Sequence, residues 1–412
     1  MPQKTLFLSI DGLTDPLGQS QILPYQVGLA KKGFDITIIS CEKKENLEKN
    51  EQAVRSILDK AGIKWQYCLY SKRIPLLSQR GNMARLKKLA VSCVKSADTP
   101  ILVHCRSYLP ALVGMYLKQK FKSHFIFDMR GFWADERVEG GIWKLKNPLH
   151  KSAYHYFKRK EKQLLAKADH IITLSDRSRD IILSWKLSKA SAISTIPCCV
   201  DLDHFQASVT EKKLELRKRS GIEKNAFVIG YLGSLGTWYM LDEMLDLFRL
   251  KLEDDPRAVF AFITPDNPEL IYAAAQKRGI TPANIFVCSA KRSEVPAYIS
   301  LFNIGLFFIR PTFSKKASSP TKMAEILACG VPVVTNTGIG DCDTIIQDTR
   351  CGVLVEDFNN SGYRSALDRI GSVRTDANYL RSISEKYFSL GDGVNHYANI
   401  YKKLIAKGKA ER

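Results

Sequence analysis

The amino-acid sequence predicts an α/β protein of two doubly wound parallel-sheet domains. Runs rich in Val, Ile and Leu alternate with helical periods along almost the whole chain, which is the pattern of repeated β–α units. The runs are apolar throughout rather than at alternate residues, so each strand is expected to be covered on both faces. The alternation starts afresh after "STIPCCVDLDHF", and 412 residues with 45% hydrophobic content leave each series enough chain for its own core.

Taken in order, "TLFLSI" predicts the first strand, followed by a helix near Gln21–Lys32, the strand "DITIIS" and a helix near Leu47–Ala61. "ILVHC", "HFIFDM" and "HIITLS" complete the first series. "FVIGYLG", "AVFAFIT", "NIFVCS", "IGLFFI", "PVVTN" and "GVLVE" make the second, with the joint near Cys198–Phe205. Asn378–Lys407 reads as helices. Ligands of open parallel sheets bind beyond the carboxyl ends of the strands, so two such domains facing each other predict chemistry in a cleft.

Composition narrows the function. After Met1-Pro-Gln-Lys the apolar run Leu6 to Ile10 is one strand long, far short of the roughly 20 residues of a membrane span. A cytoplasmic protein is expected, with its location extending to the inner face of the cytoplasmic membrane. The ten cysteines form no C-x-x-C pair, so reduced, mostly buried thiols are expected rather than zinc or a disulfide framework.

The net charge of +20 is unevenly spread: residues 1–200 hold 34 Lys and Arg against 17 Asp and Glu. Lys60 to Ala97 carries nine basic residues and no acid, which asks for an anionic partner. Met83, Leu86, Leu89, Ala90 and Cys93 fall at helical spacing there, flanked by Arg80, Arg85, Lys87, Lys88 and Lys95. That pattern fits a helix lying on an anionic membrane and equally fits a surface helix packed on a sheet. No helix-turn-helix, zinc finger or aromatic-basic strand accompanies the charge, so a nucleic-acid-binding protein is the weaker alternative.

Three loops carry the candidate site residues. "DGLTDPLGQSQILPY" places Gly18 at a helix start, where bare backbone lets a ligand approach; a plain turn and cap explains it too. "YLGSLGTWY" places Gly233, Ser234 and Gly236 directly after a strand. In "SSPTKMAEILACGVPVV", Ser319, Pro320 and Thr321 form a turn and Lys322 to Cys329 reads as a helix that Gly330 ends. Lys322 beside that helix start suits a phosphate oxygen. Glu325 lies a turn further, among Met, Ala, Ile, Leu and Cys, where a carboxylate is costly unless it meets an arginine or a ligand hydroxyl.

These stretches, with "EVPAYISLFNIGLFFI", "LLAKADHIITLSD" and "IPCCVDLDHF", resemble in order the family-4 retaining glycosyltransferases with the GT-B fold, of the bacterial polysaccharide and lipid-linked glycan type. The resemblance covers nearly the whole chain. It implies a Rossmann-like acceptor domain over 1–200, a Rossmann-like nucleotide-sugar domain over 201–380, and helices over 381–412 that pack back toward the first domain. It further implies that the helix start holds the pyrophosphate and that Glu325 binds the ribose.

The departures are specific. Ala317 stands where the family has the first Glu of its paired motif, and Gly233–Leu241 lacks the usual Arg/Lys pair, which leaves Lys322, Arg310 or Arg292 to replace it. Arg130 in "FDMRGFWADERVEGG" aligns with the family's histidine, and His104 stands where a His-x-His is common. A carboxylate lost and a guanidinium gained predict a uronic, deoxy-acetamido or otherwise modified donor sugar, unless Arg130 simply pairs with Asp128 or Asp135. Asp135 and Glu136 either orient an acceptor hydroxyl or are loop charges near Arg137.

The expected reaction is transfer of a sugar from a nucleotide-sugar, UDP-linked by default, to a hydroxyl of a lipid-linked or glycan acceptor. No metal and no cofactor beyond the donor are expected. A CMP-activated acidic-sugar transferase and a nucleotide-sugar epimerase are the alternatives within the same architecture.

Overall fold

A computed structural model of the chain describes residues 4–71, 75–96, 101–207 and 210–410. Two compact units divide it, Met1–Pro197 with Leu390–Arg412, and Cys198–Ser389. Lys72, Arg73 and Ala97 of the basic segment lie outside the described residues.

In the first unit the strands are β1 (Lys4–Leu8), β2 (Asp35–Glu42), β3 (Lys64–Leu69), β4 (Leu102–Arg106), β5 (His124–Asp128), β6 (His170–Thr173) and β7 (Ile193–Thr195). They form one parallel sheet in the order β3-β2-β1-β4-β5-β6-β7. The second unit holds β8 (Val228–Leu232), β9 (Val259–Ile263), β10 (Ile285–Cys288), β11 (Ile304–Leu306), β12 (Val333–Asn336) and β13 (Gly352–Val355), in the order β10-β9-β8-β11-β12-β13. Both sheets reverse direction between their first and fourth strands, which is the doubly wound arrangement and the place where loops part to leave a crevice. The central strands β8 and β9 of the second unit are buried at every residue and carry no charged side chain, as expected of strands covered on both faces.

Several element boundaries differ from expectation. The helix expected over Gln21–Lys32 is two, Pro16–Gln21 and Leu23–Lys31, because Pro24 can open a helix but cannot continue one. The C-terminal region does not separate at 381: the helix Ala377–Phe388 stays in the second unit, and Leu390–Ala410 belongs to the first. Arg381 explains the former, since its guanidinium donates to the carbonyls of Leu202, Phe205 and Ala328. The last helix packs on Leu23–Lys31, where a Cβ at Gly28 would stand 2.6 Å from Val394. It also inserts Tyr397 and Tyr401 against Tyr25, Phe34 and His104.

The basic segment is not a detached amphipathic helix. In Pro75–Lys95, Asn82, Leu86, Ala90 and Val94 recur every four residues and are buried, so that stripe is spent on the unit's own core. Arg80, Arg85, Lys88 and Lys95 remain exposed. Among the described residues no helix is long and apolar enough to cross a membrane. Eight of the ten cysteines are buried, and Cys93 and Cys288 are half-buried.

Candidate functional site

In the second unit the site is built on the helix Thr321–Ala328. It is buried along its length, packs beside β11 where Gly305 leaves room for Ile326, and is pinned from behind by Ser384, whose hydroxyl donates to the Ala324 carbonyl at 2.9 Å. Gly330, at φ 75°, closes it with bonds from Gly330 N–H to Leu327 and Val331 N–H to Ile326. Its N-terminus, at Pro320, has no side-chain cap, so the orphan amides and the positive end of the helix dipole are open to an anion.

Lys322 lies at that N-terminus and is buried. Its Nζ sits 3.4 Å from the Tyr239 ring and 3.9 Å from the Tyr231 ring, and makes no hydrogen bond among the described residues. Burial holds this amine well below the lysine range, with Glu325 and Asp266 only partly opposing. A Cβ at Gly233 would come within 3.9 Å of the Nζ, so the bare backbone after β8 faces it. Gly233 and Gly236 both have positive φ, 91° and 51°, and Leu235 N–H is tied to Asp266 at 2.5 Å. The loop is therefore rigid as well as bare. Ser234 contributes its carbonyl, which accepts from the Tyr231 hydroxyl at 2.8 Å.

Glu325 follows one turn on, its side chain 12% exposed, with Oε1 3.6 Å from Arg292 Nη1. Burial pushes its carboxyl up to about 7, against the pull of Arg292 and then Lys322. The arginine partner allowed from sequence is thus present, but it is long and solvent-facing, and the carboxylate is poorly satisfied. Arg292 is itself anchored over the Phe205 ring. Ser319 turns away from this cluster: its hydroxyl accepts the Cys198 N–H at 3.0 Å. Arg310 is exposed and joins none of these pairs among the described residues. Ala317 is buried in the short helix Phe313–Ala317, from which Lys315 places its Nζ 3.7 Å from the Trp238 ring.

The candidate residues of the first unit are held differently. Gly18 is a packing glycine, since a Cβ there would lie 2.0 Å from the Gly12 carbonyl. That loop is fixed by buried Glu42, which accepts from Leu13 N–H, Thr14 N–H, Thr14 Oγ1 and Ser40 Oγ. Arg130 follows β5 at φ 58°, a strained value for a side chain of its size, with Nη1 3.7 Å from Asp128. Asp128 also meets His104 Nε2 at 3.4 Å and the Tyr397 hydroxyl at 3.3 Å, while the Tyr401 hydroxyl is 2.6 Å from His104 Nδ1. Burial would raise the Asp128 carboxyl, but Arg130, His104 and Arg106 together hold it below the usual range. Burial lowers His104 below the usual imidazole range, against the pull of Asp128.

Asp135 and Glu136 are helical rather than loop charges, and Glu136 does act electrostatically on Arg137. They lie in the helix Trp133–Glu139, and Arg137 turns to the Trp133 ring. Both Asp135 oxygens are engaged, by the Tyr154 hydroxyl at 2.9 Å and Lys158 Nζ at 2.8 Å, and Lys158 bridges on to buried Glu161.

The family model for Glycosyltransferase Family 4 matches residues 27–204, and that for Glycosyl transferases group 1 matches residues 212–386. The chain belongs to the family-4 glycosyltransferases and has the GT-B fold. The chain is 24% identical over 221 residues to the D-inositol 3-phosphate glycosyltransferase of Stackebrandtia nassauensis, covering 51% of the chain and 48% of that protein. It is 24% identical over 191 residues to the 2-deoxystreptamine glucosyltransferase of Streptomyces kanamyceticus, covering 45% and 47%. The matches thus span about half the length of those curated relatives.

Among solved structures, the sucrose-phosphate synthase of Thermosynechococcus elongatus aligns with TM-score 0.72 at 16% identity, over 98% of this chain and 100% of that one. Anabaena HepE in complex with UDP-glucose aligns with TM-score 0.69 at 14% identity, over 97% and 99%. These likenesses show the fold.

The amino-acid sequence hid part of the site. Tyr231, Trp238 and Tyr239, which hold the two lysines, stand in plain view within "YLGSLGTWY", but their attraction to cations needs the loop to fold back over β11, where Tyr239 pairs with Ile309.

Proposed function

We propose that the protein transfers a sugar from a nucleoside-diphosphate donor to an acceptor hydroxyl with retention of configuration. One observation carries this: a buried lysine amine without a hydrogen-bond partner sits at an uncapped helix N-terminus, facing bare glycine backbone. A diphosphate there would satisfy the orphan amides, restore the charge on Lys322 and take the place of the basic pair this chain lacks. Glu325, one turn along, would accept the two ribose hydroxyls. As the bond from the anomeric carbon to the leaving diphosphate breaks, negative charge grows where the helix dipole and Lys322 already point. The acceptor oxygen bonds to that carbon on the face the leaving group vacates, and the hydroxyl proton passes to the departing diphosphate.

UDP is the default nucleotide, supported by the solved complexes of HepE with UDP and UDP-glucose. Arg130 in place of a histidine and Ala317 in place of a glutamate favour a donor sugar with acceptor groups of its own, a uronic, deoxy-acetamido or otherwise modified sugar. Asp135, with both oxygens engaged, enters only as a positioning residue. The acceptor is placed in the lipid-linked or glycan class, with the basic face of residues 60–97 meeting anionic lipid at the inner face of the membrane, for assembly of a cell-surface polysaccharide or glycolipid. No metal or other cofactor enters the scheme.

Thermal-shift titration with UDP, GDP, ADP and CMP tests the reading, because a ligand that binds only the folded state raises its apparent stability. Stabilisation by a nucleoside diphosphate and not by CMP is expected, and it should persist in EDTA. Stabilisation by none of the four would reject the site.

A further inference from the structure

The first unit carries a groove that the proposed transfer does not use. It has a volume of about 690 Å³ and runs between the helices Pro75–Lys95, Tyr108–Phe121 and Pro148–Lys167. Met83, Leu112, Val113, Leu149, Ala153 and Phe157 line it. Its lip is apolar and open to solvent, with Leu149 70% exposed and Tyr156 43% exposed. Ile142 and Leu145, on the segment that leads into the third helix, are also exposed. Large apolar side chains so placed mark a binding surface rather than scattered surface residues.

The charge around it has one sign. Arg80 and Lys87 stand on the groove, Lys87 with its Nζ 3.4 Å from the Tyr116 ring, so its stem covers the wall while its charge stays near the opening. The helix Pro75–Lys95 that forms one wall contains no acid. The other wall repeats this: Gly140 to Lys160 contains six Lys and Arg and no Asp or Glu. Lys158 of these is turned inward to Asp135 and Glu161, and Lys144, Lys146, Lys151 and Arg159 are exposed. Two acid-free basic stretches far apart in sequence thus flank one apolar trough.

We infer that this groove seats an apolar chain of a phosphate-bearing membrane lipid, with the basic walls gripping the phosphate layer around it. An apolar trough alone would suit many partners; a trough walled on both sides by cations and free of acid suits an amphiphile with an anionic head. The surface pairs a chain-binding site with electrostatic attachment, the two signals that stable peripheral attachment needs. The inference deepens the membrane-facing part of the proposed function and is independent of the nucleotide site.

The test uses the full chain with vesicles of phosphatidylglycerol mixed into phosphatidylcholine, and of phosphatidylcholine alone. Co-flotation with the anionic vesicles is expected, and Leu149→Asp combined with Tyr156→Asp should weaken it about tenfold while leaving the thermal midpoint and the UDP-induced shift in place. A Leu149→Trp variant then reports on the chain itself: phosphatidylglycerol with brominated acyl chains should quench its emission more than that of the parent at equal bound fraction. Absence of flotation overturns the inference, and so does flotation without excess quenching, which would mean attachment by charge only. A dimer in sedimentation that Leu149→Asp dissociates would overturn it too, by assigning the groove to a second copy of the chain. Loss of the UDP shift with flotation intact would strike the nucleotide site alone.

Discussion

Two lysines, one in each unit, are held in opposite ways. In the first, Lys158 lies between Asp135 and Glu161, and Tyr154 and Tyr108 donate to the same carboxylates. Asp128 is intermediate: His104 and Tyr397 meet one of its oxygens, while the other lies 3.7 Å from Arg130 and makes no hydrogen bond among the described residues. In the second, Lys322 has two aromatic faces and no hydrogen bond among the described residues, and Glu325 has one distant guanidinium. A buried charge whose partners come from the same chain is part of the scaffold. A buried charge left short of partners stores a cost that a ligand can relieve.

Exchanging each lysine for methionine is the sharpest way to break the contrast. Lys158→Met should cost about 3–5 kcal/mol, because it leaves two carboxylates at a buried site with one cation removed. Lys322→Met should leave stability unchanged or higher, since it removes only a desolvated amine, and should reduce UDP affinity by about a hundredfold. Urea unfolding and calorimetry read the two effects; equal losses of stability would erase the distinction.

Glu325→Gln comes next, with an expected loss of nucleotide affinity of about 1.5–3 kcal/mol, the worth of a charge-assisted hydrogen bond. Its pH dependence has a fixed sign. The folded-state carboxyl titrates at about 7, above its ordinary value of 4.5, so the folded protein holds the proton more tightly. The benefit is complete below the ordinary value and is lost as the pH rises through about 7. Wild-type stability should therefore fall across that window by a few kcal/mol at most relative to the glutamine variant. Nucleotide affinity should run the other way, rising as the carboxylate ionises, and should be flatter in Glu325→Gln. An identical pH profile in both proteins would remove Glu325 from the ribose.

Smaller effects sharpen the scaffold side. Tyr397→Phe removes one hydrogen bond to Asp128 and should cost about 1 kcal/mol, measured by urea unfolding, with the UDP shift unchanged. Arg130→His should alter donor preference more than stability: in an assay across a panel of UDP-linked sugars, turnover should move toward neutral hexoses. If UDP-glucose is already the best donor and stays so, the roles assigned to Arg130 and Ala317 fall.

How far the sequence spoke depended on the kind of interaction. The helix that carries Lys322 and Glu325 was legible because a Pro-Thr start, an apolar run and a Gly stop are local signals. The weak partnership of Glu325 with Arg292 was foreseeable only as an alternative, since 33 positions of chain separate them and the sheet alone sets their distance. Asp135 stayed open between an acceptor-orienting residue and a loop charge because its partner Lys158 arrives from the next helix. The second basic wall of the groove passed unnoticed because neither wall is concave until Pro75–Lys95 and Pro148–Lys167 pack on the same middle helix.

What the sequence determined by itself is the alternation of strands and helices, the two-domain count and the helix start that carries Lys322, because periodicity and capping act over a few residues. Only the tertiary structure decided which buried charges are satisfied. It placed Lys158 between two carboxylates and Lys322 between two tyrosine rings, and so separated scaffold from site. Side-chain satisfaction is a property of neighbours brought together by packing, and a lysine codon reads the same in both places.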